Sequence, residues 1–184
     1  MSGREPLRGE GIRRLGPLEL ELATGEDAEE LGRRLAGALL AGDIVVLTGP
    51  LGAGKTTLTR GLGEGLGVRG AVASPTFVVA RTHPPLGEGP ALIHVDAYRL
   101  SDPLELEDLD LDLEGSVTVV EWGAEHIAAI ADSWLELVLE RPHALAAGED
   151  APLDEDAPRR LRLRPAGGAW PRDRLERLET ALAG

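Results

Sequence analysis

Residues 43–57 constrain this chain more than any other stretch. They read Asp-Ile-Val-Val-Leu-Thr-Gly-Pro-Leu-Gly-Ala-Gly-Lys-Thr-Thr. A short apolar run of strand character enters a glycine-rich turn, and Lys-Thr-Thr then opens a segment suited to a helix. This is the pattern G-x-x-x-x-G-K-[ST] in the strand-to-helix context that gives it meaning. Gly49, Gly52 and Gly54 let the backbone between Pro50, Leu51 and Ala53 curl, so that successive N–H groups face an anion. The N-terminus of the following helix, at Lys55, Thr56 and Thr57, adds partial positive charge. In such a loop the lysine reaches the β- and γ-phosphates and the first hydroxyl binds Mg²⁺, here Lys55 and Thr56.

Lys55 is the sole lysine, every other basic side chain being arginine. With this glycine and hydroxyl content, a lone lysine acquires both glycines and the threonine by chance about once in a thousand. A compact ammonium on a flexible stem is a different ligand from a guanidinium. Nucleotide binding is therefore the primary expectation.

The chain has 184 residues, 42% of them apolar, enough for one domain with a real core built from aliphatic side chains. Its net charge of −13 opposes unaided binding of nucleic acid, which needs a basic face. A protein partner or a small ligand is expected instead. The absence of cysteine removes disulfides, thiolate metal sites and a thiol nucleophile. No apolar run approaches spanning length, so a cytoplasmic protein is expected, without a membrane partner.

Residues 1–17 lack periodicity and read as a flexible extension preceding a single domain over 18–184. Leu18–Leu22 alternates as a strand. Thr24 resembles a helix N-cap, with leucines at helical spacing to Leu40, and Thr24–Gly25 is expected near the bound base. Leu58, Leu62 and Leu66 mark the helix after the loop, weakened by four interspersed glycines that only packing would offset. Phe77–Thr82 and Ala91–Asp96 read as antiparallel strands across a short turn. A short acidic helix from Asp102 and a loop to Glu114 precede the strand Val117–Trp122 and a helix over 124–131. Residues 134–141 and 159–164 alternate as a closing antiparallel pair around an acidic loop, 143–158. A C-terminal helix presents Leu175, Leu178 and Leu182. The expected class is α/β: a P-loop NTPase-like three-layer fold, with a mixed parallel/antiparallel sheet flanked by helices.

Two carboxylates end apolar strands, Asp96 and Glu121, where α/β sheets place their ligands. One would approach the metal and the other orient or deprotonate a water, and residue type alone does not assign the two roles. Thr76, in a Ser-Pro-Thr turn, stands where a switch threonine would approach the γ-phosphate. His94 suits packing or hydrogen bonding. Trp122 suits a cover for the nucleotide, a partner anchor or a core position. Arg159 and Arg160 are arginines of the last strand within reach of phosphate.

These segments taken together, Thr24-x-x-Asp27, Gly49–Thr57, Ser74-Pro75-Thr76-Phe77, His94-Val95-Asp96-Ala97-Tyr98-Arg99, Asp102-Pro103 and Val120-Glu121-Trp122, resemble the bacterial TsaE (YjeE) family in order and spacing. The resemblance covers roughly residues 18–164. It implies a P-loop ATPase needed to make threonylcarbamoyladenosine in tRNA, working with the TsaB and TsaD subunits and meeting tRNA only indirectly. It implies ATP and Mg²⁺ as cofactors, Thr56 and Glu121 as metal ligands, and Asp96, Thr76 and Lys55 as residues of hydrolysis. Arg159 matches a nucleotide-contacting arginine, across a loop that differs from the family's. A GTPase would carry Asn-Lys-x-Asp, which a chain with no asparagine cannot contain. A small-molecule kinase and a nucleotide-gated adaptor remain as alternatives.

Overall fold

The computed structural model describes residues 9–141 and 157–183. In chain order these form β1 (Ile12–Gly16), β2 (Glu19–Leu22), α1 (Gly25–Ala36), β3 (Ile44–Thr48), α2 (Lys55–Leu66), β4 (Ala80–His83) and β5 (Ala91–Asp96). A 3-10 turn (Ala97–Arg99), α3 (Leu104–Glu107), β6 (Ser116–Glu121), α4 (Ala124–Ile130), β7 (Trp134–Glu140), β8 (Arg159–Ala166) and α5 (Arg172–Ala183) follow.

All eight strands join one sheet, ordered β1-β2-β8-β7-β3-β6-β5-β4. The centre is parallel: β3 pairs with both β6 and β7, and β6 with β5. Both flanks are antiparallel, through β4–β5 on one side and β7–β8–β2–β1 on the other. Central strands between two helical layers read as nearly continuous apolar runs, as Ile44–Leu47 does and as Val117–Val120 does apart from the buried Thr118. Their alternate residues divide between two cores. Val45, Leu47, Val117 and Val119 pack under Leu31, Leu35, Leu58, Leu62, Leu178 and Leu182 of α1, α2 and α5. Ile44, Val46 and Val120 pack under Leu106 and Ile127 of α3 and α4. The expected mixed-sheet, three-layer α/β architecture is the one observed.

Thr24 caps α1 in a capping box: its hydroxyl accepts the Asp27 N–H at 3.2 Å, and the Asp27 carboxylate accepts the Thr24 N–H at 3.0 Å. The glycines of α2 prove to be packing requirements. A Cβ on Gly61 would overlap the Glu29 carbonyl oxygen of α1, so the two helices cross at a separation that admits no side chain there. α5 is tied to the sheet by Arg174, which donates to Asp43 and lies 4.0 Å over the Trp170 ring.

Three boundaries depart from expectation. The extension expected over 1–17 contains β1, an edge strand paired with β2. None of its five residues is buried, and its pairing is interrupted by a register shift between Arg14 and Gly16, so no clean alternation marks it. Helix α1 stops at Ala36 rather than Leu40, because Leu40 is exposed and its N–H is taken by the Asp43 side chain. The strand expected from Phe77 begins only at Ala80. Phe77 and Val78 form a turn closed by Val78 and Val79 N–H bonds to the Pro75 carbonyl. The loop expected over 143–158 falls outside the described residues except for Ala157 and Pro158.

Gly61→Ala should lower the unfolding free energy by about 1–3 kcal/mol through overpacking, although alanine is the better helix former by about 1 kcal/mol. A urea titration reads the sign, and a gain in stability would refute the close-crossing argument.

Candidate functional site

The parallel strands β3, β5, β6 and β7 deliver their C-terminal ends to one edge of the sheet, where open α/β sheets bind ligands. There β3 runs into the glycine loop, β5 ends at Asp96, β6 at Glu121, and β7 at Glu140 beside Arg141. A cleft of about 650 Å³ opens over this edge. Its wall comprises Leu51, Gly52, Gly54, Lys55, Thr56 and Thr57 of the loop and α2, with Ser74, Thr76, Asp96, Glu121 and Arg159. Gly25, Glu26, Glu29, Arg60 and Arg141 complete it.

Gly54 immediately precedes α2 at φ 101°, a left-handed conformation that suits glycine. A Cβ here would stand 3.0 Å from Nη1 of Arg159, so glycine is also what lets that buried guanidinium approach the loop. The first N–H groups of α2 have no acceptor within the helix and point out at its N-terminus. They give the cleft an anion-seeking floor.

Lys55 is buried at 5% exposure. Its ammonium donates to the carbonyls of Gly49 at 2.8 Å and Pro50 at 3.0 Å, and lies 3.9 Å from the centre of the Trp122 ring. Burial pushes the ammonium below its ordinary 10.5, while the charges of Glu121 and Asp96 pull it back up. An ammonium held by two neutral carbonyls and one aromatic face retains the capacity to bind a phosphate oxygen.

The two strand-end carboxylates sit side by side, Asp96 opposite Glu121 in the β5–β6 register, but they keep different company. Oε1 of Glu121 accepts from the Thr56 hydroxyl at 3.1 Å and is bonded to Nε2 of His94 at 2.8 Å. His94 is fully buried, so its role here is to hold this carboxylate. Asp96 accepts the Thr76 hydroxyl at 3.1 Å on one oxygen and the Tyr98 N–H at 3.1 Å on the other. Thr76 in turn shares a 2.6 Å bond with Ser74. Thr56 and Glu121 thus form one oxygen pair, and Thr76 and Asp96 another. Among the described residues, no cluster of three His, Cys, Asp or Glu side chains could hold a metal alone. The hard oxygens of Thr56 and Glu121 would fit a small divalent ion whose remaining ligands would come from outside the protein.

Most of the sequence-derived candidates converge here. Gly49, Pro50 and Ala53 shape the loop behind the cleft wall. Thr24 spends its hydroxyl on capping α1, and its neighbours Gly25 and Glu26 face the cleft instead. Arg160 is exposed on β8, whereas Arg159 is buried. Glu26, Glu29, Arg60 and Arg141 escaped the sequence reading. Only Arg60 left a trace, one helical turn beyond Thr56.

The family model described as "Threonylcarbamoyl adenosine biosynthesis protein TsaE" matches residues 22–146. A Streptomyces coelicolor protein named tRNA threonylcarbamoyladenosine biosynthesis protein TsaE is 67% identical over 115 residues, covering 61% of this chain and 78% of that protein. The Mycobacterium tuberculosis H37Rv protein of the same name is 46% identical over 149 residues, covering 72% and 89%. The crystal structure of YdiB from Bacillus subtilis superposes with a TM-score of 0.62 at 28% identity, covering 90% of this chain and 93% of that one. Among the described residues no helix is long and apolar enough to cross a membrane.

Because Lys55 is the only lysine, its ¹³Cε resonance can be followed through a pH titration without ambiguity. In metal-free protein it should titrate below 10.5. Glu121→Gln removes the stronger of the two charges that favour the cation, so it should lower the midpoint further, and Asp96→Asn by less. A midpoint that rises in either variant would contradict this account of the site.

Proposed function

The chain belongs to the TsaE family, and from that premise we propose that it binds ATP with Mg²⁺ and hydrolyses it in support of threonylcarbamoyladenosine formation on tRNA. Its partners on this reading are TsaB and TsaD, its compartment is the cytoplasm, and tRNA meets it only through the complex. The observation that carries the reading is the division of labour at the cleft edge. One carboxylate is joined to the loop threonine, and its neighbour is joined to a second threonine from a separate turn.

The loop and the N-terminus of α2 bind and orient the phosphates through backbone N–H groups. Lys55 exchanges its carbonyl partners for phosphate oxygens and places its charge where negative charge develops during transfer. Thr56 and Glu121 would hold Mg²⁺, whose contribution when bound is to neutralise the phosphate oxygens. His94 keeps the Glu121 side chain in place for that purpose. Asp96 accepts the proton of the attacking water or orients it, with Thr76 fixing the carboxylate. Arg159, against the loop at Gly54, and Arg141 add positive charge to the cleft.

A small-molecule kinase would need a second pocket for an acceptor. A nucleotide-gated adaptor would bind ATP but lack a use for the Thr76–Asp96 pair.

Reconstitution separates these readings. ATP turnover should be slow for the isolated chain and rise when the cognate TsaB–TsaD pair is added. Equal rates with and without the pair, or phosphoryl transfer to a metabolite, would refute the proposal. Asp96→Ala should cut turnover by about 10²–10⁴-fold while nucleotide affinity measured by calorimetry stays within a few-fold. Normal turnover in that variant would remove Asp96 from the mechanism.

A further inference from the structure

We propose that the partner-docking surface of this protein is the aromatic patch at the rim of the cleft formed by Phe77, Tyr98 and Arg99, continuous with Trp122. We further propose that its occupant is a protein surface with an apolar recess framed by basic side chains. The inference rests on the partner-dependent ATPase reading above, and it specifies which face of the molecule that partner covers.

The patch is contiguous. The Arg99 guanidinium lies 5.6 Å over the Phe77 ring, and the neighbouring Tyr98 ring meets Trp122 edge-on at 5.7 Å. It is also open: Phe77 is 90% exposed and Tyr98 75%, in a chain with only five aromatic residues of the Phe, Trp and Tyr types. Large aromatics left in water on one rim are the residues that anchor protein interfaces. Val78 beside them is 53% exposed.

The backbone under the patch is strained at two points. Val79 has φ 66° and Trp122 has φ 61°, a region that β-branched and bulky residues rarely adopt. Such strain is retained where surrounding contacts or function impose it. Both residues adjoin the chemistry. The Val79 carbonyl accepts the Asp96 N–H at 2.8 Å, and the Trp122 ring covers Lys55. Phe77 follows Thr76 directly in the chain, and the Tyr98 N–H holds an Asp96 oxygen. A body seated on Phe77 and Tyr98 therefore bears on the two residues flanking the Thr76–Asp96 pair, and on the indole over the catalytic ammonium.

Charge names the chemistry of the occupant. The segment 102–114 carries Asp102, Glu105, Glu107, Asp108, Asp110, Asp112 and Glu114, with no basic residue, and all seven are exposed. It begins three residues after Arg99, which sets acid next to the patch along the chain. A polyanion such as tRNA is repelled from this border. A protein with arginines and lysines around an apolar recess is steered to it.

The test uses the full chain with the purified cognate TsaB–TsaD pair. Phe77→Ser/Tyr98→Ser should weaken association by at least about 30-fold and abolish the partner-induced rise in ATP turnover. In Phe77→Ser alone, basal turnover and nucleotide affinity should stay within about two-fold of wild type. Leu86→Ser, a largely exposed apolar residue on the β4–β5 turn, should bind as wild type does. Asp108→Lys/Asp110→Lys should slow association and flatten its dependence on salt. Wild-type affinity in the double aromatic variant, or an equal loss in Leu86→Ser, would overturn the surface assignment alone. Failure of the wild type to bind the pair would overturn the functional reading and the surface with it.

Discussion

Burying one ammonium group at the end of the central strand is the constraint from which the rest of the site follows. A lysine withdrawn from water must find replacement partners or give up its charge. Lys55 finds five: the carbonyls of Gly49 and Pro50, the face of Trp122, and the charges of Glu121 and Asp96. These come from three different strand ends, so the parallel order of β3, β6 and β5 is itself a condition of the lysine's position. The contact with the indole is worth about 0.5–2 kcal/mol, and it requires Trp122 to leave β6 in a left-handed conformation. The strain at Trp122 is thus the local cost of covering the cation.

The same ammonium explains how two carboxylates tolerate adjacent register positions. Asp96 and Glu121 would repel each other across the β5–β6 pairing, and a cation near both relieves that repulsion. Once relieved, they are told apart only by their hydrogen-bond donors. His94 and the loop hydroxyl claim Glu121, whereas Thr76 and a backbone N–H claim Asp96. Chemically similar groups acquire different roles through what each can still accept.

Much of this was legible in the chain because it is local. The glycine loop, each strand-end carboxylate and each strand of the antiparallel closing pair declare themselves within one short continuous stretch. The failures share a different character. Phe77 and Val78 have strand-like side chains but lie in a turn set by Pro75, and β-propensity describes side-chain fit rather than backbone commitment. Gly61 of α2 looked like a defect because the residue that needs its absence of side chain, Glu29, lies 32 positions away. Ile12–Gly16 pairs as an edge strand whose exposed face is mostly arginine, so no apolar alternation betrays it. Arg141 and Glu26 reach the cleft only through the sheet's topology.

Charge inside the cleft bears on why an ion belongs to the proposed chemistry. Its wall carries four cationic side chains, Lys55, Arg60, Arg141 and Arg159, and four carboxylates, Glu26, Glu29, Asp96 and Glu121. With these in balance, on a chain of net charge −13, side-chain charge alone offers a triphosphate no net attraction. On the proposed reading, binding would come from directional donors, the backbone N–H groups at the start of α2, and from a divalent cation that arrives with the nucleotide. The Thr56–Glu121 pair would then, on the same reading, serve the binding of the charged ligand as well as the transfer of its phosphate. A cleft lined mainly by cations would hold phosphate without the metal, and would lose the means to make turnover depend on it.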